Sequence, residues 1–177
     1  MTVLLPYRGA FPDFEKAAFV APNATLLGAV KLGEDASIWF GAVLRGDVQA
    51  ITVGARTNIQ DNAVVHASTG LCPTLIGDDC TIGHSAIIHG ATLGNGVLIG
   101  MGAIILDEAE IGDEACIGAG ALVTGKTKIP PGALVLGSPA KVVRFMAEPD
   151  RAVQRYSAPH YVELAREYAE AIAKSRT

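Results

Sequence analysis

Four histidines occur in the chain, and three of them, His66, His84 and His89, fall within residues 66–89. Neutral imidazole is the commonest biological metal ligand, and three histidines plus a water make up the ligand set of a catalytic zinc site. An ion held by neutral ligands keeps its positive charge and lowers the pKa of bound water to about 7, which yields hydroxide at neutral pH. Spacing alone does not make such a site, since three solvated surface histidines would read the same way. The elements that carry them must bring them to one place.

Those elements are legible as a repeat. Aliphatic residues recur six apart at Val20, Leu26, Leu32, Ile38 and Leu44, again at Val53, Ile59 and Val65, and again at Ile76, Ile82 and Ile88. They continue at Leu93, Ile99, Ile105, Ile111, Ile117, Val123, Ile129 and Val135. The longer steps, Leu44 to Val53 and Val65 to Ile76, read as single hexads with a protruding loop. Two positions before each aliphatic residue lies a second column of mostly small side chains, among them Ala24, Ala36, Ala42, Thr57, Ala63, Cys80 and Ala86. A period of six is neither helical nor that of a long strand. It predicts a parallel β-helix in which each hexad supplies one short strand and one corner, and three hexads close a coil. The aliphatic residue fills the interior, the small one turns inward at the corner, and coils stack about 4.8 Å apart.

The repeat spans residues 20–140, roughly six coils, and its end is marked by Pro130-Pro131 and Gly137-Ser138-Pro139. Residues 1–19 read as a lead-in and cap. Within 141–177, Tyr161, Leu164, Tyr168 and Ile172 recur at helical spacing, which predicts a helix packed along the prism with Ser157 as N-cap and Pro159 in its first turn. The fold class is all-β with a C-terminal α-helix, in a single domain.

Composition narrows the function. Half the residues are hydrophobic, yet aromatics make up only 6%, so the apolar content is aliphatic and suits short stacked strands. A net charge of -4 offers no basic patch for nucleic acid. The sequence shows neither an apolar run long enough to span a membrane nor a charged-then-apolar leader. Cys72, Cys80 and Cys116 are odd in number and lack paired spacing, so they read as reduced thiols of a cytoplasmic protein.

Counting hexads assigns the histidines to faces. Leu44, Val65, Ile88 and Ile105 share one face; Ile38, Ile59, Ile82 and Ile99 share another. His66 and His89 each follow an inward aliphatic residue of the first face, so they point outward and stack one coil apart, with Arg45 below in the same column. His84 lies on the neighbouring face above Asp61. Outward histidines on two faces do not converge within one prism. They converge if a second subunit presents its His84 to the His66/His89 pair, which predicts a cyclic homotrimer with metal sites at its interfaces.

At these residues the sequence resembles the gamma-class carbonic anhydrase family. The resemblance covers nearly the whole chain and rests on Arg45-Gly46-Asp47, Asn58-Ile59-Gln60-Asp61-Asn62, Val65-His66, and Ile82-Gly83-His84 through His89-Gly90. It implies a left-handed coil, against the general preference for right-handed crossovers. It implies that His66 and His89 of one subunit and His84 of the next hold Zn²⁺, with Fe²⁺ or Co²⁺ as ions the imidazoles accept equally. It implies hydration of CO2 to bicarbonate by metal-bound hydroxide. By the same resemblance Gln60 hydrogen-bonds the bound water, Asn58 and Tyr161 line the pocket, Asp47 shapes it, and Arg45 and Asp61 form an intersubunit ion pair. Each accessory residue also has a plainer reading. Arg45 and Asp61 serve as an assembly clamp, Asp47 caps a loop, Tyr161, Trp39 and Phe40 pack, and His160 is a solvated residue at the helix start.

Two departures bear on activity. The family's best-characterised members carry a glutamate where this chain has Val48, and an acidic loop where it has only Ser68-Thr69-Gly70-Leu71-Cys72-Pro73. Without those carboxylates the step that suffers most is proton export to solvent, so slow hydration is expected. The competing readings are acyl chemistry, as a hexapeptide acyltransferase or a metal-dependent acyl-CoA thioesterase, and a non-catalytic metal-binding or assembly subunit.

Overall fold

Each hexad folds as a strand of two or three residues followed by a turn, and the strands stack in parallel ladders. On one face Ile38, Ile59, Ile82, Ile99, Ile117 and Val135 lie in register. On the second, Leu44, Val65, Ile88, Ile105 and Val123 do so. On the third, Leu32, Val53, Ile76, Leu93, Ile111 and Ile129 follow suit. The protein, here a computed structural model describing residues 3–175, is thus a parallel β-helix with three hexads per coil. Met1 and Thr2 of the lead-in, and Arg176 and Thr177 of the C-terminal segment, lie outside the described residues.

Both predicted columns are interior. Leu26, Ile38, Leu44, Ile59, Ile82, Ile88, Ile99, Ile105 and Ile117 are fully buried, as are Ala24, Ala36, Ala42, Ala63, Ala86 and Ala103. Each buried isoleucine contributes roughly 1.5–3 kcal/mol of transfer free energy, and the alanines admit the chain where the coil turns tightest. The corners themselves use left-handed backbone. In one corner column Asp35, Arg56, Asp79, Gly96, Glu114 and Gly132 all have positive φ. Only glycine adopts that conformation without strain, and short polar side chains tolerate it best among the rest.

Three features differ from the sequence expectation. The step from Leu44 to Val53 is not a loop: Val43–Val53 is one continuous strand that turns the corner while still paired to Thr25–Leu32. Glycine permits this, because a Cβ on Gly28 (φ +72°) would run into the carbonyl of Gly46. The lead-in is also part of the sheet, with Val3–Leu5 paired in parallel to Thr25–Leu27. And the segment beyond residue 140 opens with a strand, Ala140–Phe145, antiparallel to Ala133–Gly137.

The C-terminal helix spans Glu148–Ser175, so Ser157 is not its N-cap and Pro159 is not in its first turn. Pro149 occupies the first turn instead, where a missing N–H costs nothing. Asp150 reaches back to the N–H of Ala147 at 3.2 Å, half of a capping box. The helix continues through Pro159 because its inner face is held to the prism: Ala158, Val162 and Ala165 are buried, with Tyr161, Leu164, Ala169 and Ile172 packed beside them. Among the described residues no helix is long and apolar enough to cross a membrane.

Candidate metal centre

The strands Val64–His66 and Ile87–His89 are register neighbours, with His66 opposite His89. Val65 and Ile88 point inward, so the residue after each points out, by the alternation of a strand. The two imidazoles meet edge to face with centroids 5.2 Å apart, and His66 Nδ1 lies 3.3 Å from His89 Nε2.

Carboxylates fix which nitrogens carry protons. His66 Nε2 is 2.9 Å from Asp47 Oδ1, and His89 Nδ1 is 3.1 Å from both oxygens of Asp107. An ionised carboxylate only accepts, so His66 donates from Nε2 and His89 from Nδ1. In neutral rings the remaining lone pairs are those of His66 Nδ1 and His89 Nε2, the two atoms 3.3 Å apart. The donor that reaches this point is Arg45 Nη2, 3.3 Å from His66 Nδ1, while its Nη1 is bonded to Asp47. Burial works to raise the carboxyl of Asp47, but hydrogen bonds from His66 and Arg45 outweigh it and hold the group below the usual carboxylate range. Asp107 behaves alike, with burial opposed by the hydroxyl and N–H of Ser68 and by His89.

His84 belongs to the neighbouring corner. Its Nδ1 bonds Asp61 Oδ2 at 2.8 Å, and Asp61 Oδ1 also accepts the N–H of Phe40 at 3.2 Å. The side chain of His84 is 43% exposed, against 15% for His66. It stands on the outside of the prism. Among the described residues of this one chain, no three His, Cys, Asp or Glu side chains converge to hold a metal ion. Arg45 and Asp61 make no pair within the chain; each is engaged with its neighbouring histidine or carboxylate.

Gln60 is held by a chain of buried amides and hydroxyls. Asn58 Nδ2 donates to the carbonyl of Cys80 at 3.2 Å and to Thr81 Oγ1 at 3.0 Å. A backbone carbonyl accepts only, so the Asn58 amide has one orientation, and its Oδ1 accepts Gln60 Nε2 at 3.1 Å. That leaves Gln60 Oε1 as the acceptor on offer to the surface. Asn58 itself is fully buried, so it does not line a pocket in this chain; it acts on its surroundings through Gln60. The chain runs on from Thr81 Oγ1 to Ser157 Oγ, 3.0 Å away on the helix.

Tyr161 packs edge-on against Trp39, centroids 5.2 Å apart, in an aromatic cluster with Phe19, Phe40 and Tyr168. Burial pushes its hydroxyl pKa up, and the charge of Asp61 adds to the shift. Trp39 is buried and serves as packing. His160 is not at a helix start; it is exposed in mid-helix and stacks on Tyr156 at 5.6 Å.

Asp107 and Ser68 were not among the residues singled out from sequence. The available signal was positional: Asp107 sits two residues past Ile105, on the face that carries His66 and His89. Gly90, directly after His89, leaves the room it needs, since a Cβ there would collide with Asp107 Oδ1.

Comparison with known proteins narrows the family. A bacterial transferase hexapeptide profile of six repeats matches residues 73–106 and 90–125. Over 169 residues the chain is 44% identical to gamma carbonic anhydrase 2, mitochondrial, of Arabidopsis thaliana, covering 93% of this chain and 61% of that protein. Over 175 residues it is 46% identical to a carbonic anhydrase of Geobacillus kaustophilus, covering 99% of this chain and 95% of that one. The chain belongs to the gamma carbonic anhydrase family. Within that family it spans about three-fifths of the length of the plant relative. A crystal structure from Anaplasma phagocytophilum, described as a hexapeptide transferase family protein, is 46% identical with a TM-score of 0.88, covering 94% of this chain and 98% of that one. The gamma carbonic anhydrase fold thus passes under a transferase name, and chemistry has to be argued from the histidines.

Proposed function

We propose that the protein hydrates CO2 to bicarbonate and a proton at a divalent metal ion held by His66 and His89 of one subunit and His84 of another, in a homotrimer. The observation that carries this reading is the pair of inner imidazole nitrogens, His66 Nδ1 and His89 Nε2, 3.3 Å apart, with the other nitrogen of each ring on a carboxylate. A tetrahedral ion with metal–nitrogen bonds of about 2.0–2.1 Å sets its ligands about 3.3–3.4 Å from one another. The separation of the pair matches that value, and an ion there would take the place of Arg45 Nη2 at His66 Nδ1. A third imidazole must come from elsewhere, and His84, exposed and already oriented by Asp61, is the histidine suited to reach a neighbour. The ligand set fits Zn²⁺ and also Fe²⁺ or Co²⁺.

When bound, such an ion supplies an acidified water, of pKa about 7, as nucleophile for a small electrophile such as CO2. The remaining work falls to the chain. Asp47, itself held by Arg45, keeps the proton on the outer nitrogen of His66. Gln60 offers Oε1 as a fixed neutral acceptor that orients a donor without adding charge. Neither Val48 nor the segment from Ser68 to Pro73 supplies a carboxylate, so the proton leaves to external buffer. Free Cys72, Cys80 and Cys116 fit a reducing compartment such as the cytoplasm.

Stopped-flow CO2 hydration by protein reconstituted with Zn²⁺, and anaerobically with Fe²⁺, tests this. Turnover that rises with buffer concentration and falls to background in His89→Ala is the expected result. A fully metallated trimer with no turnover in either form sinks it and points to acyl-CoA hydrolysis or to a structural role.

A further inference from the structure

Of the carboxylates around the histidine pair, Asp107 is the one that neither the repeat nor the family segments single out. Its two oxygens lie 3.1 Å from His89 Nδ1. On its other side Ser68 Oγ donates to Oδ2 at 2.9 Å and Ser68 N–H to Oδ1 at 3.3 Å. The carboxylate is thus clamped between the loop after His66 and the ring of His89. The backbone has been cleared for it, because Gly90 carries no Cβ to meet Oδ1. Oriented from two sides, Asp107 leaves His89 a single tautomer, with the Nε2 lone pair aimed at His66.

We infer that Asp107, fixed by Ser68, is a positioning residue that sets the tautomer and ring angle of His89 for metal binding. The inference rests on the reading of His89 as a ligand. A ligating imidazole whose outer N–H meets a carboxylate is a better donor and loses less freedom on binding, and removing such a partner typically costs about 10–100-fold in metal affinity. The plainer alternative is that Asp107 only staples the loop 67–73 to the prism through Ser68. That role would show in stability and leave the ion indifferent.

The experiment measures Co²⁺ affinity of the full chain by competition with a chromophoric chelator, together with the visible spectrum of the Co²⁺ form and the melting temperature of the metal-free protein. Asp107→Ala is expected to weaken binding about 10–100-fold and to alter the Co²⁺ bands. Asp107→Asn should recover most of the loss, because its Oδ1 still accepts from His89 Nδ1. Ser68→Ala should cost about twofold to tenfold, the worth of one ordinary hydrogen bond. Parent-like affinity and spectrum in Asp107→Ala, with only a lower melting temperature, overturn the inference in favour of the staple. Should the alanine variant not fold, Asp107→Leu, which keeps the side-chain size and removes the acceptor, decides on the same criterion. His89→Ala separates the two levels. If it keeps parental affinity, the ligand reading fails; if it loses the ion while Asp107→Ala keeps it, only the role of Asp107 fails.

Discussion

Two ladders of polar side chains climb this prism, and they close in different ways. In the corner ladder Asp78 Oδ1 accepts the N–H of Ala55 at 2.8 Å, Asn95 Oδ1 that of Asp78 at 2.9 Å, and Asp113 Oδ1 that of Asn95 at 2.8 Å. Every rung ends on a backbone amide of the coil before it. In the other ladder, Asp47, His66, His89 and Asp107, the rungs end on one another. Its outer members are carboxylates, which accept from one nitrogen of each ring, and the other two nitrogens meet in the middle beside Arg45 Nη2. The scaffold, spacing and strand register are shared. What separates the two ladders is where their last polar atoms point, into backbone amides in the one and toward each other in the other.

That contrast can be broken from either side. The largest effect belongs to His66→Ala, which removes one of the two opposed nitrogens: stoichiometric metal binding should disappear by equilibrium dialysis, while the metal-free protein loses about 1 kcal/mol or less in denaturant titration. Asn95→Ala should do the reverse. It strips the acceptor from the Asp78 amide, costs about 0.5–1.5 kcal/mol of stability, and leaves metal content unchanged by atomic absorption. The smallest effect tests whether sulfur competes for the ion. Burial pushes the Cys80 thiol up to about 12. A raised thiol pKa means the protonated form persists well above neutrality, and the thiol is a poor nucleophile and ligand. Iodoacetamide at pH 8 should therefore leave Cys80 unmodified in the native protein and label it after unfolding, as read by peptide mass spectrometry. Labelling in the native state would put a thiolate next to the histidine coil and weaken the case for an all-imidazole site.

Period and burial made most of the fold legible from sequence. Leu44, Val65 and Ile88, or Ile38, Ile59 and Ile82, could be assigned to faces by counting alone, because a β-helix has one residue class inward per hexad. The same count put His66 over Arg45 and beside His89. It failed where the chain leaves the period. Between Leu44 and Val53 the extra residues stay in a strand, since paired glycines at 28 and 46 let two backbones turn a corner together. The helix start was misplaced because Ser157 looks like a cap, whereas its hydroxyl is spent on Thr81. Asp107 was missed because it reaches His89 diagonally, across a glycine, and a column count sees only vertical neighbours.

The helix Glu148–Ser175 also measures the prism. Arg155 bonds Glu114 at 2.7 Å near one end, and Arg166 grips both oxygens of Asp35 at 2.9 and 3.0 Å near the other. Asp35 and Glu114 belong to the same corner column, through Arg56, Asp79 and Gly96, so they are roughly 19 Å apart at about 4.8 Å per coil. From Arg155 to Arg166 the helix rises about 17 Å at about 1.5 Å per residue, and the long arginine side chains make up the rest. Coil number and helix length are consequently two readings of one distance. A lineage that gained a coil would need about three more helical residues to keep both ion pairs, and one that gained helix alone would carry it past the last coil into solvent. The strap is a caliper, set to the coils between Asp35 and Glu114.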